Sequence, residues 1–480
     1  MIDCVLAYPI PTRDSPTKGP ALSIFYLGAM LEQKGLNVEY FDERFDKFDE
    51  FISMVKKEPL CVGVSSMTGY QLVGAKHLFE VVKKINPKIY TIFGGTHPSI
   101  LPKHCIKEPL VDFVVVGEGE ETLLELVMTL KNGGDIHKVD GIYWKESGRV
   151  MVNKPREFMN PSQWPFPMTQ KNKKYFKVAA DRDELMFQTS RGCMYKCAFC
   201  YNQVFNRRTW RPMPLNKFEK ELKEFVREFK IRIIYINDDN IGSNKERIKE
   251  IAKILHSSDL SWSTGIRCND IDEEIAKVLD ENGCRELLLG AESGSDRILK
   301  EIIKKGYAHG TEDVRNCARV LSRTRIHGRY NFMCGTPTET KKELHDSMDL
   351  ADWIHKTDKN SLVNFDAYAP YPGSEAYEEA LKTNFREPQT LEEWSKITLS
   401  NEIVPIAQNL YYISGLRFRG GKGDTTSRNF PGIRRFLILP FEIFAHIRWR
   451  TRFLKYYGLE RAIVKKLFAW ASKKVIFKRK

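Results

Sequence analysis

From residue 2 to residue 131, short apolar runs rich in β-branched and aromatic residues (IDCVLAY, NVEYFD, CVGVSS, IYTIFGG, DFVVVG) alternate with helix-like stretches at 22–34, 69–84 and 120–131. This alternation predicts an open, mostly parallel sheet. The stretch GIYWKESGRVMVN (141–153) then reads as a hairpin, and the proline-rich PREFMNPSQWPFPM as a linker. The rhythm resumes at 185. LMFQTS precedes a helix near 216–229, IRIIYIND one at 243–256 and WSTGIRC one at 270–282; ELLLGAE, HGRYNFMCG and LVNFDAY follow. Six β/α units in series predict a partial (β/α)6 barrel, with ligands at the C-terminal ends of its strands. The expected divisions are an α/β domain over 1–140, hairpin and linker over 141–180, the barrel over 181–385 and a helical C-terminal region over 386–480.

At 480 residues the chain is long enough for two or three separate cores. Its ten cysteines are too dilute for a disulfide framework, and MIDCVLAYPIPTRD lacks a basic segment leading into a long apolar run. The expectation is a reducing, cytoplasmic setting without a signal peptide. The net charge of +14 is not spread evenly: residues 416–480 hold 18 Lys or Arg against Asp424, Glu442 and Glu460. The remainder is close to neutral, which argues against a uniformly basic nucleic-acid binder.

The tail has a pattern of its own. Leu459, Ile463, Leu467, Ala471 and Val475 recur every fourth position, and Lys465, Lys466, Lys473 and Lys474 fall largely away from that face. Upstream, FLILPFEIFAHI is about half the length a spanning helix needs, and Pro440 and Glu442 interrupt it. The tail reads as an interfacial element on an anionic membrane, as a helical cap on the barrel, or as an RNA-binding segment. The membrane reading is preferred, a peripheral contact through 416–480 with no nucleic-acid partner.

The densest chemistry is SRGCMYKCAFC (190–200), where Cys193, Cys197 and Cys200 follow a predicted strand directly. A structural zinc site would want a fourth ligand nearby, but no cysteine or histidine occurs from 201 to 255. Three thiolates on a four-iron cluster leave one iron open to bind a substrate or cofactor.

The C-x3-C-x2-C motif, with Phe199 before its third cysteine, resembles that of the radical S-adenosylmethionine (SAM) enzymes. The later strand ends NDDN (237–240), GIRCN (265–269), LLLGAESGSDRILKEIIKKG (287–306), FMCGTPTET (332–340) and APYPGSEAY (369–377) extend the resemblance over roughly 185–380. The resemblance implies a [4Fe–4S] cluster on the three cysteines. Its open iron would chelate SAM, and one-electron reduction would cleave SAM to methionine and a 5′-deoxyadenosyl radical. It also implies SAM contacts from Phe199, Asp238, Asp239, Arg267, Glu292 and Ser293, although Asp238 and Asp239 read equally as caps of the next helix. Cys268, Cys284, Cys317 and Cys334 read as small buried hydrophobes.

The N-terminal region resembles the cobalamin-binding domain that precedes this barrel in one subgroup, with a flavodoxin-like, Rossmann-like sheet. The resemblance implies cobalamin contacts in three Gly/Ser/Thr-rich loops after strands three to five: Ser65 and Ser66; Gly94, Gly95 and Thr96; Gly117, Glu118 and Gly119. The D-x-H-x-x-G motif that supplies an axial histidine in many cobalamin proteins is absent. Cobalamin would then bind without a histidine ligand, or the domain would serve only as a lid. His97 and His104 follow strand four and do not restore the motif; His97 reads as a loop or packing residue.

The resemblance implies a cobalamin-dependent methyltransferase acting on an unactivated carbon of a hydrophobic or lipid-like substrate, with ferredoxin or flavodoxin as electron donor. The alternatives are a radical cyclase or rearrangement enzyme of the same subgroup, and a tRNA methylthiotransferase using Cys4, Cys61 and Cys105 for a second cluster.

Overall fold

The computed structural model describes residues 1–11, 19–304, 310–397, 403–418 and 433–454. The amphipathic repeat at 459–476 lies outside the described residues. The first sheet contains β1 (Cys4–Tyr8), β2 (Val38–Asp42), β3 (Cys61–Ser65), β4 (Tyr90–Gly94), β5 (Phe113–Val115), β6 (Ile142–Glu146) and β7 (Arg149–Val152). Their order is β2-β1-β3-β4-β5-β6-β7, with β1 to β5 parallel and β6 and β7 antiparallel. The hairpin, grouped with the linker in the sequence reading, therefore extends this sheet. β3 is buried at every position, because helices cover both faces of a parallel sheet. Leu22–Gln33 and Glu120–Asn132 pack on one face; Phe48–Val55 and Gln71–Ile85 pack on the other.

The second sheet takes β8 (Met186–Phe187), followed, after a two-stranded ribbon of β9 (Ser190–Arg191) and β10 (Arg211–Pro212), by β11 (Ile233–Ile236), β12 (Ser261–Arg267), β13 (Cys284–Glu292), β14 (His327–Cys334) and β15 (Leu362–Ala367). All six are parallel in the order β15-β14-β13-β12-β11-β8, an open partial barrel with the expected strand count.

An aromatic chain joins the two halves. Phe25 of the first domain lies 5.2 Å from both Tyr175 and Phe176 of the linker helix Lys173–Ala180, Phe176 lies 5.3 Å from Phe225, and Phe225 lies 5.7 Å from Phe187 of β8. These rings are buried, so the linker is part of a shared core rather than a flexible tether.

The C-terminal helix Ile433–Thr451 runs through Pro440, where the sequence reading saw an interruption. Trp449 anchors it to the barrel, 5.6 Å from Phe365 of β15, and its indole N–H donates to Asp352 at 3.0 Å. This part of the tail is a cap on the barrel. Among the described residues no helix is long and apolar enough to cross a membrane.

Candidate active site between the two sheets

In a parallel α/β layer, binding loops gather at the C-terminal strand ends. Here the strand ends of both sheets border one cavity of about 510 Å³. From the first domain, Ser65, Ser66, Gly94, Gly95, Thr96, Gly117, Glu118 and Gly119 line it, which is the whole set inferred for cobalamin; from the barrel come Gln188, Arg191, Tyr201, Asp238 and Asp239.

The local geometry explains the small residues. Gly95 has φ +98°, and a Cβ there would stand 2.6 Å from the Ser66 backbone. The Ser66 hydroxyl is buried without a hydrogen-bond partner in the chain, an orphaned polar group on the cavity wall that suits a polar ligand. Ser99, which the sequence reading missed, ties two loops together: its hydroxyl donates to the Gly95 carbonyl at 2.7 Å and accepts from Gly117 N at 2.9 Å.

Glu118 also links the two domains. It pairs with Arg211 at 3.0 Å and Arg191 at 3.4 Å, while Glu120 pairs with Arg191 at 2.7 Å. Arg191 also lies over the rings of Tyr26 (4.8 Å) and Trp164 (4.3 Å). Burial pushes the Glu118 carboxyl above its ordinary range, with Glu120 adding to it and the two guanidiniums opposing. Its charge is held within the domain interface.

Asp238 and Asp239 are likewise engaged by the chain. The buried Asp238 carboxylate accepts four hydrogen bonds, from the backbone N–H and hydroxyl of Thr189 (both 2.6 Å) and of Ser190 (3.0 and 2.6 Å). That fills its acceptor capacity. Asp239 accepts from Gly192 N (2.7 Å), Tyr201 (2.9 Å) and Asn202 (2.9 Å). Both acids therefore fasten the strand and loop that present the cysteines, rather than standing free for SAM or capping the next helix, which Asn244 caps. Gly192 completes the turn: its φ is +83°, and a Cβ would fall 2.0 Å from the Thr209 carbonyl.

Cys193, Cys197 and Cys200 are half-buried on this loop, and none forms a disulfide. Burial pushes the Cys193 thiol up to about 11 and the Cys200 thiol up to about 12. Bound iron would supply the positive charge that makes them thiolates at neutral pH. Three sulfurs on a fastened loop, half-exposed at a strand end, fit a cluster with one open iron.

The other residues inferred for SAM divide. Arg267 ends β12 with its guanidinium 3.5 Å over the ring of Tyr195, between the first two cysteines. Glu292 ends β13 at φ +65° beside a register shift in the pairing with β14, a strained position of the kind found at functional sites. Ser293 is fully buried against Ser347 and accepts from Ser295 N at 3.1 Å, so its hydroxyl is engaged within the chain. Phe199 packs against Ile298, Leu299 and Ile303 beneath the loop. Cys268, Cys284, Cys317 and Cys334 are buried as expected.

Comparison with known proteins agrees with this architecture. Residues 10–127 match the B12 binding domain and residues 187–351 the Radical SAM superfamily. The chain is 30% identical over 381 residues to an uncharacterized methyltransferase of Pyrococcus horikoshii (77% of this chain, 80% of the relative). It is 27% identical over 435 residues to cytidylyl-2-hydroxyethylphosphonate methyltransferase of Streptomyces wedmorensis (78% and 80%). The cobalamin-dependent SAM radical enzyme OxsB with aqua-cobalamin bound superposes with TM-score 0.73 at 17% identity, covering 93% of this chain and 72% of that one. The methyltransferase TsrM of Kitasatospora setae gives 0.66 at 19% identity, covering 80% and 75%. The chain belongs to the radical SAM enzymes that carry an N-terminal B12-binding domain, and its cofactors are a [4Fe–4S] cluster, SAM and cobalamin.

Two acids, Asp238 and Glu339, can be tested directly. Replacing Asp238 with Asn turns one acceptor into a donor facing hydroxyl and amide groups, and should lower cluster retention and SAM cleavage about 10–100-fold, read as iron per chain and 5′-deoxyadenosine formed. Glu339, just beyond β14, is raised by burial from its ordinary 4.5 to about 7. Between those values the folded state holds a proton that the unfolded chain has lost, so its contribution makes stability fall as pH rises through the window. Glu339→Gln should remove that slope, gaining up to about 3 kcal/mol on wild type between about pH 5 and pH 7.5 in denaturant titrations.

Proposed function

We propose that this enzyme methylates an unactivated carbon of a hydrophobic small molecule. The observation that carries the reading is the shared cavity: loops inferred for cobalamin and the strand that presents the cysteines border the same space, with Leu6, Ile24, Leu27, Ile92, Val115 and Leu123 forming apolar wall. When bound, the cluster and SAM supply one-electron chemistry that removes a substrate hydrogen, and cobalamin supplies the methyl group. The chain's own part is to orient and to exclude water. Asp238 and Asp239 hold the cysteine loop, and Arg267 and Glu292 offer opposite charges for a zwitterionic ligand beside it. The Arg191 and Arg211 pairs keep the two strand-end surfaces together. Electrons would come from an external donor of the ferredoxin or flavodoxin type.

Ring closure is the second reading. The chain is 25% identical over 379 residues to an anaerobic magnesium-protoporphyrin IX monomethyl ester cyclase of Rubrivivax gelatinosus, covering 75% of this chain and 66% of that one. The methylthiotransferase reading loses its second cluster site: Cys4 and Cys61 pair within the first sheet and pack on one face, whereas Cys105 lies in the core on the other.

In an anaerobic assay with reductant, SAM, cobalamin and a lipid extract, methyl transfer predicts comparable amounts of 5′-deoxyadenosine and S-adenosylhomocysteine by mass spectrometry, both absent in Cys197→Ala. Deoxyadenosine without the homocysteine product would reject methylation.

We also propose that the C-terminal helix touches an anionic membrane. Ile443, Phe444 and Ile447 are exposed on it, with Phe453 exposed just beyond and Arg450 beside them. The enzyme should float with anionic vesicles and not with neutral ones, and Ile443→Glu with Ile447→Glu should cut that binding about tenfold; equal flotation of the double variant would reject the contact.

A further inference from the structure

Beyond β4 the chain forms two short helices, Thr96–Ile100 and Pro102–Cys105. They bring His97, His104 and Cys105 together in a place that does not border the cofactor cavity. One donor atom from each lies within 4.8 Å of the other two. His97 and Cys105 are fully buried and His104 is partly buried. The rings stand against Trp394, at 5.5 Å for His97 and 6.4 Å for His104.

Each imidazole uses one nitrogen in a hydrogen bond and leaves the other without a partner. His104 Nε2 is 2.9 Å from the Gln389 carbonyl, which can only accept. Nε2 therefore carries the proton, and Nδ1 of the neutral ring has a lone pair. His97 Nδ1 is 2.9 Å from the Thr68 hydroxyl; with Nδ1–H donating there, Nε2 has the lone pair. Those two nitrogens, His97 Nε2 and His104 Nδ1, are buried and make no hydrogen bond. Two imidazoles, each with one unpartnered nitrogen, clustered with a buried thiol form a donor set of two nitrogens and one sulfur with no carboxylate, which selects zinc-class ions over calcium or magnesium.

We propose that His97 Nε2, His104 Nδ1 and Cys105 Sγ bind one divalent ion of the zinc class. Binding releases the Cys105 proton to solvent, leaving a thiolate and two neutral imidazoles as ligands, with no redox change. Zinc holds nitrogen at about 2.0–2.1 Å and thiolate at about 2.3 Å, so the donors draw in by about 1 Å through side-chain rotation. Thr68 and Gln389 fix the ring orientations from behind, as the outer partners of metal-bound histidines do. With these three protein ligands and a solvent molecule as the fourth, the ion would brace the loop after β4 and, through the imidazoles held by Thr68 and Gln389, the segment carrying Gln389 and Trp394, which the Lys76–Glu392 ion pair already holds against the first domain. The competing arrangement without metal is a proton shared between the two rings.

The test uses the full-length holoenzyme, isolated anaerobically, given one equivalent of Zn2+ and desalted. Elemental analysis should find about one zinc per chain beside iron and cobalt. Zinc should fall to about a tenth in Cys105→Ser and in His104→Gln, and persist in Cys197→Ala, which loses iron. Zinc-edge X-ray absorption of the wild type should show one sulfur at about 2.3 Å with nitrogen at about 2.0 Å, a readout that stands if a variant fails to fold. Wild-type zinc below about a fifth of an equivalent, zinc retained in Cys105→Ser, zinc lost with Cys197→Ala, or a shell without sulfur would each overturn the site.

Discussion

A guanidinium buried between two carboxylates holds the working parts of this enzyme in register. Arg191 sits two residues before Cys193, in the strand whose neighbours Thr189 and Ser190 are held by Asp238, and its charge is met by Glu118 and Glu120 from the other domain. A charge so enclosed is costly without its partners, and the arrangement therefore fixes the distance between the cysteine loop and the loop after β5. Tyr26, Trp164 and Arg211 close the remaining sides. Domain docking and placement of the cysteine loop are consequently one structural event, reinforced by the aromatic chain through Tyr175, Phe176 and Phe225.

Two parallel sheets meeting at their strand ends set what the cavity can contain. Parallel strands deliver their loops to one edge, so each domain contributes several short loops and few long side chains. On the first domain these are small residues that let backbone approach a large planar ligand; on the barrel they are polar residues that are largely satisfied by one another. On the first domain the Ser66 hydroxyl has no partner in the chain and faces the space both domains enclose.

The strands, their order of type and the cysteine triad were legible because each depends on local pattern: apolar runs, turn residues, and three thiols within eight positions. The loops inferred for cobalamin were legible for the same reason, and all eight residues border the cavity. Individual roles were less so. Asp238 and Asp239 were found as strand-end acids, yet their partners lie some 37–49 positions away, at Thr189, Ser190, Gly192, Tyr201 and Asn202. Ser293 sits next to a strained strand end and looked equivalent to Glu292, but it lies just beyond β13 and is buried against Ser347. Arg191 and Arg211 gave no signal, since a basic residue in a loop reads as solvated until a second domain covers it.

The sequence by itself determined the two parallel sheets, the edge of each where binding loops gather, and three thiols spaced for a cluster, because strand period, β/α alternation and cysteine spacing are properties of neighbouring residues. Only the tertiary structure decided which charges remain available at that edge. Carboxylates and guanidiniums more than thirty positions apart pair or stay free according to how the domains dock, and docking is set by shape and burial that no local window contains.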